Sequence, residues 1–211
     1  NHEELLILDE PRKIFEFNKV QTDGDIPIIS IFRDFSAPVI WNSDLKLNEL
    51  LYIAENDDNN FLRWNTINTL SREAILARSS GNIDNLIEEG LFLSLRRNIS
   101  NFRNNNPGFI AKILNLPSLS ELELYQNPIN PIRLNDAYYK FKSFLASSLE
   151  DLLIDLLDEC KNEKFQKWPE GQNHRKLIKV IWSLLIINGN QNIRNQAVET
   201  VNTSSMTLSR A

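Results

Sequence analysis

The chain has little of what most catalytic sites are built from. It holds one cysteine and two histidines among 211 residues. A single cysteine, Cys160, rules out an internal disulfide, which fits a reducing compartment such as the cytoplasm. Its expected role is a small apolar side chain on a helix, because a nucleophilic thiolate needs a basic partner that nothing nearby suggests. A zinc hydrolase needs two imidazoles and a carboxylate on the metal. His2-Glu3 opens like H-E-x-x-H, but the place of the second histidine is taken by Leu6. His174 lies in the polar stretch Gln172-Asn173-His174-Arg175 and reads as a loop or helix-start residue. The sequence contains no G-x-S-x-G, no phosphate-binding P-loop and no G-x-G-x-x-G.

Other classes are excluded by what is missing. The apolar run from Val180 to Ile187 is far shorter than the roughly 18 residues that span a bilayer. No basic segment followed by an apolar one stands at the amino terminus, so no signal peptide is expected. The net charge is −5, and Lys and Arg are scattered, so no basic surface for phosphate backbones is expected. The one methionine, Met206, lies near the carboxy end, which marks the chain as part of something longer. Glu150, Asp151, Asp155, Asp158 and Glu159 crowd one helical stretch and read as a solvated face, not a catalytic pair.

What is present is periodicity, and it changes along the chain. Leu5–Leu8, Ile14–Phe17 and Ile26–Phe32 are short β-prone runs separated by Asp9-Glu10-Pro11 and Asp23-Gly24-Asp25. Three strands are too few for an independent sheet, so they predict the remnant of a larger sandwich. From Ser43 the spacing is helical. Ser43 or Asp44 is the expected cap of a helix carrying Leu47, Leu50, Leu51 and Ala54 on one face. Asp58 is the expected cap of a second, ended by Gly81. Residues 83–89 and 91–102 read as two shorter pieces. Asn106-Pro107 and Asn130-Pro131 each pair a capping side chain with proline at the first helical position. Pro117 is expected to stop one helix, and Ser118 with Glu121 to open the next. Pro131 to about Lys161 is predicted as the longest helix. Trp168–Gly171 reads as a loop, Lys176–Asn188 as a central helix closed by Gly189, and 192–201 as a further helix. Another is expected to begin at Ser205.

The expected fold is therefore mainly α, a HEAT- or armadillo-like helical array preceded by a small β remnant. The boundary is placed between 1–41 and 42–211.

Several segments resemble one family. Ser30-Ile31-Phe32-Arg33-Asp34-Phe35-Ser36-Ala37-Pro38-Val39 is similar to the junction, in bacterial aminopeptidase N, between an immunoglobulin-like β-domain and a carboxy-terminal helical domain. Asp57-Asp58 with Phe61-Leu62-Arg63-Trp64-Asn65 resembles the family's N-D-x-F-x-R-W segment. Ile113–Ser118 is similar to its "ILTLPS"-like turn, Ser205-Met206-Thr207 to its N-M-T helix start, and Lys13–Val20 to its "TFVFDNV" strand. The resemblance runs from near residue 4 to near residue 208, and is most specific at 30–41 and 57–70.

The resemblance implies a parent zinc metalloaminopeptidase that removes amino-terminal residues from peptides. In that family the H-E-x-x-H motif and the G-A-M-E-N motif lie in an earlier thermolysin-like domain. Neither occurs here, so no catalytic, cofactor-binding or metal residue carries over, and the chain by itself is expected to be inactive. Its implied partner is the rest of the parent polypeptide, whose chamber the helical part helps enclose; no nucleic acid or membrane partner is expected. Phe32, Phe35, Val39 and Trp41 are expected to pin the β part against the first helices, with Arg33 and Asp34 pairing or capping locally. The competing reading, from the residues alone, is a free-standing α-solenoid that binds a protein partner.

Overall fold

The computed structural model describes residues 3–17, 20, 24, 26–37, 39, 43–162, 171–189 and 191–203. Among these, the regular structure is one short 3-10 turn, Arg33–Phe35, and nine α-helices. They are α1 Leu47–Asn56, α2 Asn60–Ser79, α3 Asn85–Phe102, α4 Pro107–Leu114, α5 Leu119–Glu123, α6 Pro131–Ser148, α7 Glu150–Asn162, α8 Gln172–Asn188 and α9 Gln191–Thr203. The helical array is as expected. The β remnant is not: no described residue is in a strand. Leu5, Ile7, Leu8, Ile14, Ile26 and Ile29 all face solvent, and an isolated β-prone run has no ladder to join.

Local chemistry sets most helix starts. Asn106 Oδ1 accepts the Phe109 N–H at 3.0 Å, with Pro107 at the first helical position of α4. Asn130 Oδ1 does the same for Arg133 N–H at 3.1 Å, beside Pro131 of α6. Ser118 Oγ accepts the Glu121 N–H at 3.2 Å and opens α5. Each supplies a partner to a donor that the helix itself leaves orphaned. Gly81 closes α2 at φ +87°, and the following Asn82 N–H reaches back to the Ala77 carbonyl at 2.9 Å.

Four expectations are corrected. The cap of α1 is Lys46, whose N–H donates to the Glu49 carboxylate at 2.7 Å, so Ser43 and Asp44 lie upstream of it. The cap of α2 is Asn59, because Asp58 is engaged by Arg33 while Asn59 Oδ1 takes the Leu62 N–H at 3.1 Å. Residues 83–89 and 91–102 are not two pieces. They are one helix, α3, capped by Asp84 Oδ1 and running through Gly90. The Leu51 side chain of α1 packs closely at Gly90: a Cβ there would meet Leu51 Cδ1 at 2.5 Å. Conversely, the long helix expected from Pro131 is two, α6 and α7, interrupted at Leu149 beside the Ser147-Ser148 pair.

The core is a closed cycle of helices. α2 packs on α4 and α6, α4 on α8, and α8 on α6, with α1 and α3 flanking α2, and α7 and α9 flanking α8. Into it point Ile67, Leu70, Ile75, Ile110, Phe141, Leu145, Ile181 and Leu184. Each fully buried aliphatic or aromatic chain contributes about 1.5–3 kcal/mol. α8 was expected to be central and does touch four other helices, but Ser183 and Ile186 on it are exposed. α4 is the more enclosed, with Phe109, Ile110, Ala111, Ile113 and Leu114 all buried.

Candidate interface at the corner of the first two helices

Among the described residues, the segment before α1 meets the array at the corner where α1 hands over to α2. There the 3-10 turn Arg33–Phe35 lies against α2. Asp57, in the connection, is the hub; its side chain is only 6% exposed. Its Oδ1 accepts from the Asn59 N–H at 2.8 Å and lies 3.3 Å from Arg33 Nη1, while its Oδ2 accepts from Ser30 Oγ. Arg33 also donates to Asp58 and stands 3.2 Å from the Glu3 carboxylate. The bond to Asp58 holds the guanidinium above its usual pKa, against a smaller opposing effect of burial. Asn59 Nδ2 donates to Asp34 Oδ1 at 2.7 Å, so one asparagine both caps α2 and holds the turn.

The network continues inward. Arg63, one turn into α2, donates through Nε to the Asp57 carbonyl and through Nη1 to Asn98 Oδ1 at 2.9 Å. Asn98 is fully buried on α3 and returns two bonds, to the carbonyls of Ala54 at 2.9 Å and Ser94 at 2.8 Å. Burial lowers the Arg63 pKa, and the charges of Asp57 and Asp58 partly offset this. The guanidinium lies over the Phe102 ring at 5.2 Å. An aromatic row runs alongside: Phe35 meets Phe61 edge-on at 5.7 Å, Phe61 meets Trp64 at 5.7 Å, and Lys112 of α4 sits over Trp64 at 4.5 Å.

Asp57, Phe61, Arg63 and Trp64, the residues that carried the sequence resemblance, therefore meet in one joint linking α1, α2, α3 and α4. The expected pinning by large side chains is only partly met, since Phe35 is 58% exposed and Val39 also faces solvent. Polar groups make most of this contact. Pro38 and Trp41 lie outside the described residues.

A second polar centre was not foreseen. Arg78 of α2 grips Glu88 of α3 with two parallel bonds, the longer 2.7 Å, and Glu88 is 3% exposed. Arg78 also lies over the Phe144 ring at 5.6 Å and borders a groove of about 580 Å³ between α6 and the end of α8. On the groove's floor Asn188 donates to the Ser143 carbonyl at 2.6 Å and to Ser147 Oγ at 2.7 Å.

The remaining candidates do not converge. His174 is half-buried in the first turn of α8, and Cys160 is half-buried on α7 against the core. Asp151, Asp155, Asp158 and Glu159 are exposed on α7, with Glu159 bridged to Arg103. Among the described residues no three of His, Cys, Asp and Glu are grouped to hold a metal ion, and no helix is long and apolar enough to cross a membrane. His2, Trp168-Pro169-Glu170 and Ser205-Met206-Thr207 lie outside the described residues.

Residues 47–211 match the family described as "Domain of unknown function (DUF3458_C) ARM repeats". Aminopeptidase N of Caulobacter vibrioides is 30% identical over 175 residues, which are 82% of this chain and 20% of that protein. Among solved structures, Legionella pneumophila aminopeptidase A in complex with aspartic acid is similar with a TM-score of 0.69 at 19% identity. That match covers 85% of this chain and 22% of the Legionella protein, and at such identity it speaks for the fold. The chain thus spans about a fifth of the length of both relatives.

Proposed function

The chain belongs to the DUF3458_C ARM-repeat family and is a carboxy-terminal helical part of the aminopeptidase N family, and from this we propose that it serves a zinc-dependent aminopeptidase as a non-catalytic wall. In this reading the parent removes amino-terminal residues from peptides in the cytoplasm. The helices help enclose the chamber where that happens, and a β-domain gives way to the array near residue 41. The observation that carries the reading is the joint itself. Of the residues that carry the resemblance, Asp57 and Phe61 hold the preceding segment through Ser30, Arg33 and Phe35, and Arg63 and Trp64 extend the joint to α3 and α4.

The zinc that the family implies does not fit this chain. The donor set is wrong: two histidines in the whole sequence, with the described one, His174, in no cluster of ligating groups. The metal, the water it activates and the substrate-amine site belong to other parts of the parent, and no chemical step is assigned to residues here. Reading the gene upstream of Asn1 tests the proposal. An in-frame H-E-x-x-H with a downstream Glu supports it. An upstream frame without that motif overturns it in favour of a free-standing α-solenoid.

A further inference from the structure

The turn at the α1–α2 corner is held in a way unlike the rest of the molecule. Phe32, Asp34 and Phe35 have φ of 62°, 52° and 58°, in the left-handed region that side chains with a Cβ rarely adopt. Such outliers persist only where surrounding contacts impose them. Here those contacts are not a core, because no residue of Arg33–Phe35 is buried. They are charges and polar groups: Arg33 to Glu3, Asp57 and Asp58, Ser30 to Asp57, and Asp34 to Asn59. Within Arg33–Phe35 the ring of Phe35 meets Phe61 edge-on, and this leaves Phe35 mostly in solvent. The helices behind it are held by fully buried leucines and isoleucines.

We propose that the Arg33–Phe35 turn is a strained, charge-held latch, which releases the segment before α1 from the helical array when its ion pairs are screened or removed, while the array stays folded. The two sides of the joint answer to different forces. Three carboxylates converge on Arg33, and two of them, Glu3 and Asp58, are more than half exposed. Dissolved salt therefore reaches them, and at 1 M the screening length falls to about 3 Å. Apolar burial in the array is not weakened by chloride salt in this way. Once Arg33 lets go, the left-handed residues relax to ordinary conformations and do not re-form the turn unaided. The latch gives the joint a hinge whose stiffness depends on ionic conditions, whatever the preceding segment is attached to.

Amide hydrogen exchange tests this directly. The Phe35 and Ser36 amides donate within the turn, to the Phe32 and Arg33 carbonyls, both at 3.0 Å. Raising NaCl from about 0.05 to 1 M on the unmodified chain is expected to speed their exchange severalfold. Arg33→Gln is expected to speed it at least about tenfold at low salt and to abolish the salt response, with the α2 amides of Ile67–Ile75 unchanged in both cases. Turn amides indifferent to salt and to Arg33→Gln would overturn the latch. So would acceleration of the α2 amides in parallel with those of the turn, because the turn would then open only with the whole fold.

Discussion

Arg63 on α2 and Asn98 on α3 are joined by a 2.9 Å hydrogen bond, and Asn98 passes the connection on to the Ala54 carbonyl of α1. Three helices therefore share one buried amide. Asn98→Ala would leave the Arg63 guanidinium and the Ala54 carbonyl short of partners. Each such loss costs about 1–3 kcal/mol, and the expected total is about 3 kcal/mol. Urea denaturation monitored by circular dichroism checks this, and a loss under about 1 kcal/mol would mean that water replaces the amide. Asn98→Asp, which keeps the oxygen facing Arg63 but loses the donors, is expected to fall between the two.

The Arg78–Glu88 pair is buried and bidentate, so removing one partner strands the other. Glu88→Leu alone is expected to cost about 3–5 kcal/mol, and Arg78→Met alone about as much. The double variant Arg78→Met/Glu88→Leu is expected to lie near wild type, since replacing both charges by packed apolar groups is often neutral. A double-mutant cycle from denaturant melts measures the coupling. Additive losses would show that the pair does not act as a unit.

How much of this was legible in the sequence depends on how local the cause is. Asn106-Pro107, Asn130-Pro131, Ser118 and Gly81 each act within one helical turn, and each was readable. Gly90 looked like a helix break because its reason lies elsewhere, in the Leu51 side chain of α1 that it lets approach. Asp58 looked like the cap of α2 until Arg33, twenty-five residues back, claimed it and left Asn59 to cap. Asn98 did leave a trace: a polar residue on the same helical face as Leu91, Leu95 and Ile99. Arg78–Glu88 left none, since the two sit on different helices across the Gly81 turn. The β-prone runs failed for a related reason, because strand propensity becomes a sheet only when a neighbour completes the ladder.

Phe35 shows the same limit. Its place in an aromatic-rich junction suggested a buried anchor whose loss would cost about 3–5 kcal/mol. At 58% exposure, with one edge-on ring contact, Phe35→Ala is now expected to cost about 0.5–1.5 kcal/mol. Denaturant melting separates the two values, and a loss above about 3 kcal/mol would restore the buried anchor.

Glu73 carries a pH signature. Glu73 is exposed on α2, yet its pKa is raised, chiefly by partial loss of water around the carboxylate; Arg72 opposes this and Asp84 adds the smallest contribution. The folded state therefore holds the proton more tightly than the unfolded chain. The sign follows: stability falls as pH rises through the range just above the ordinary glutamate value, and stays lower beyond it. Glu73→Gln is expected to be more stable than wild type at pH 7, with the gap closing below about pH 4. Urea midpoints of both proteins from pH 3 to 8 test this, and a gap that is constant across the range would remove the titration as its cause.

The claim that this chain is a non-catalytic wall is tested most directly by assaying it, purified and alone, for aminoacyl-anilide hydrolysis and for zinc retained after dialysis. The expected result is no turnover and far less than one equivalent of zinc, alongside chelator-sensitive hydrolysis by the parent polypeptide under the same conditions. Turnover by the chain alone that a chelator abolishes, or one tightly held equivalent of zinc, would contradict the account.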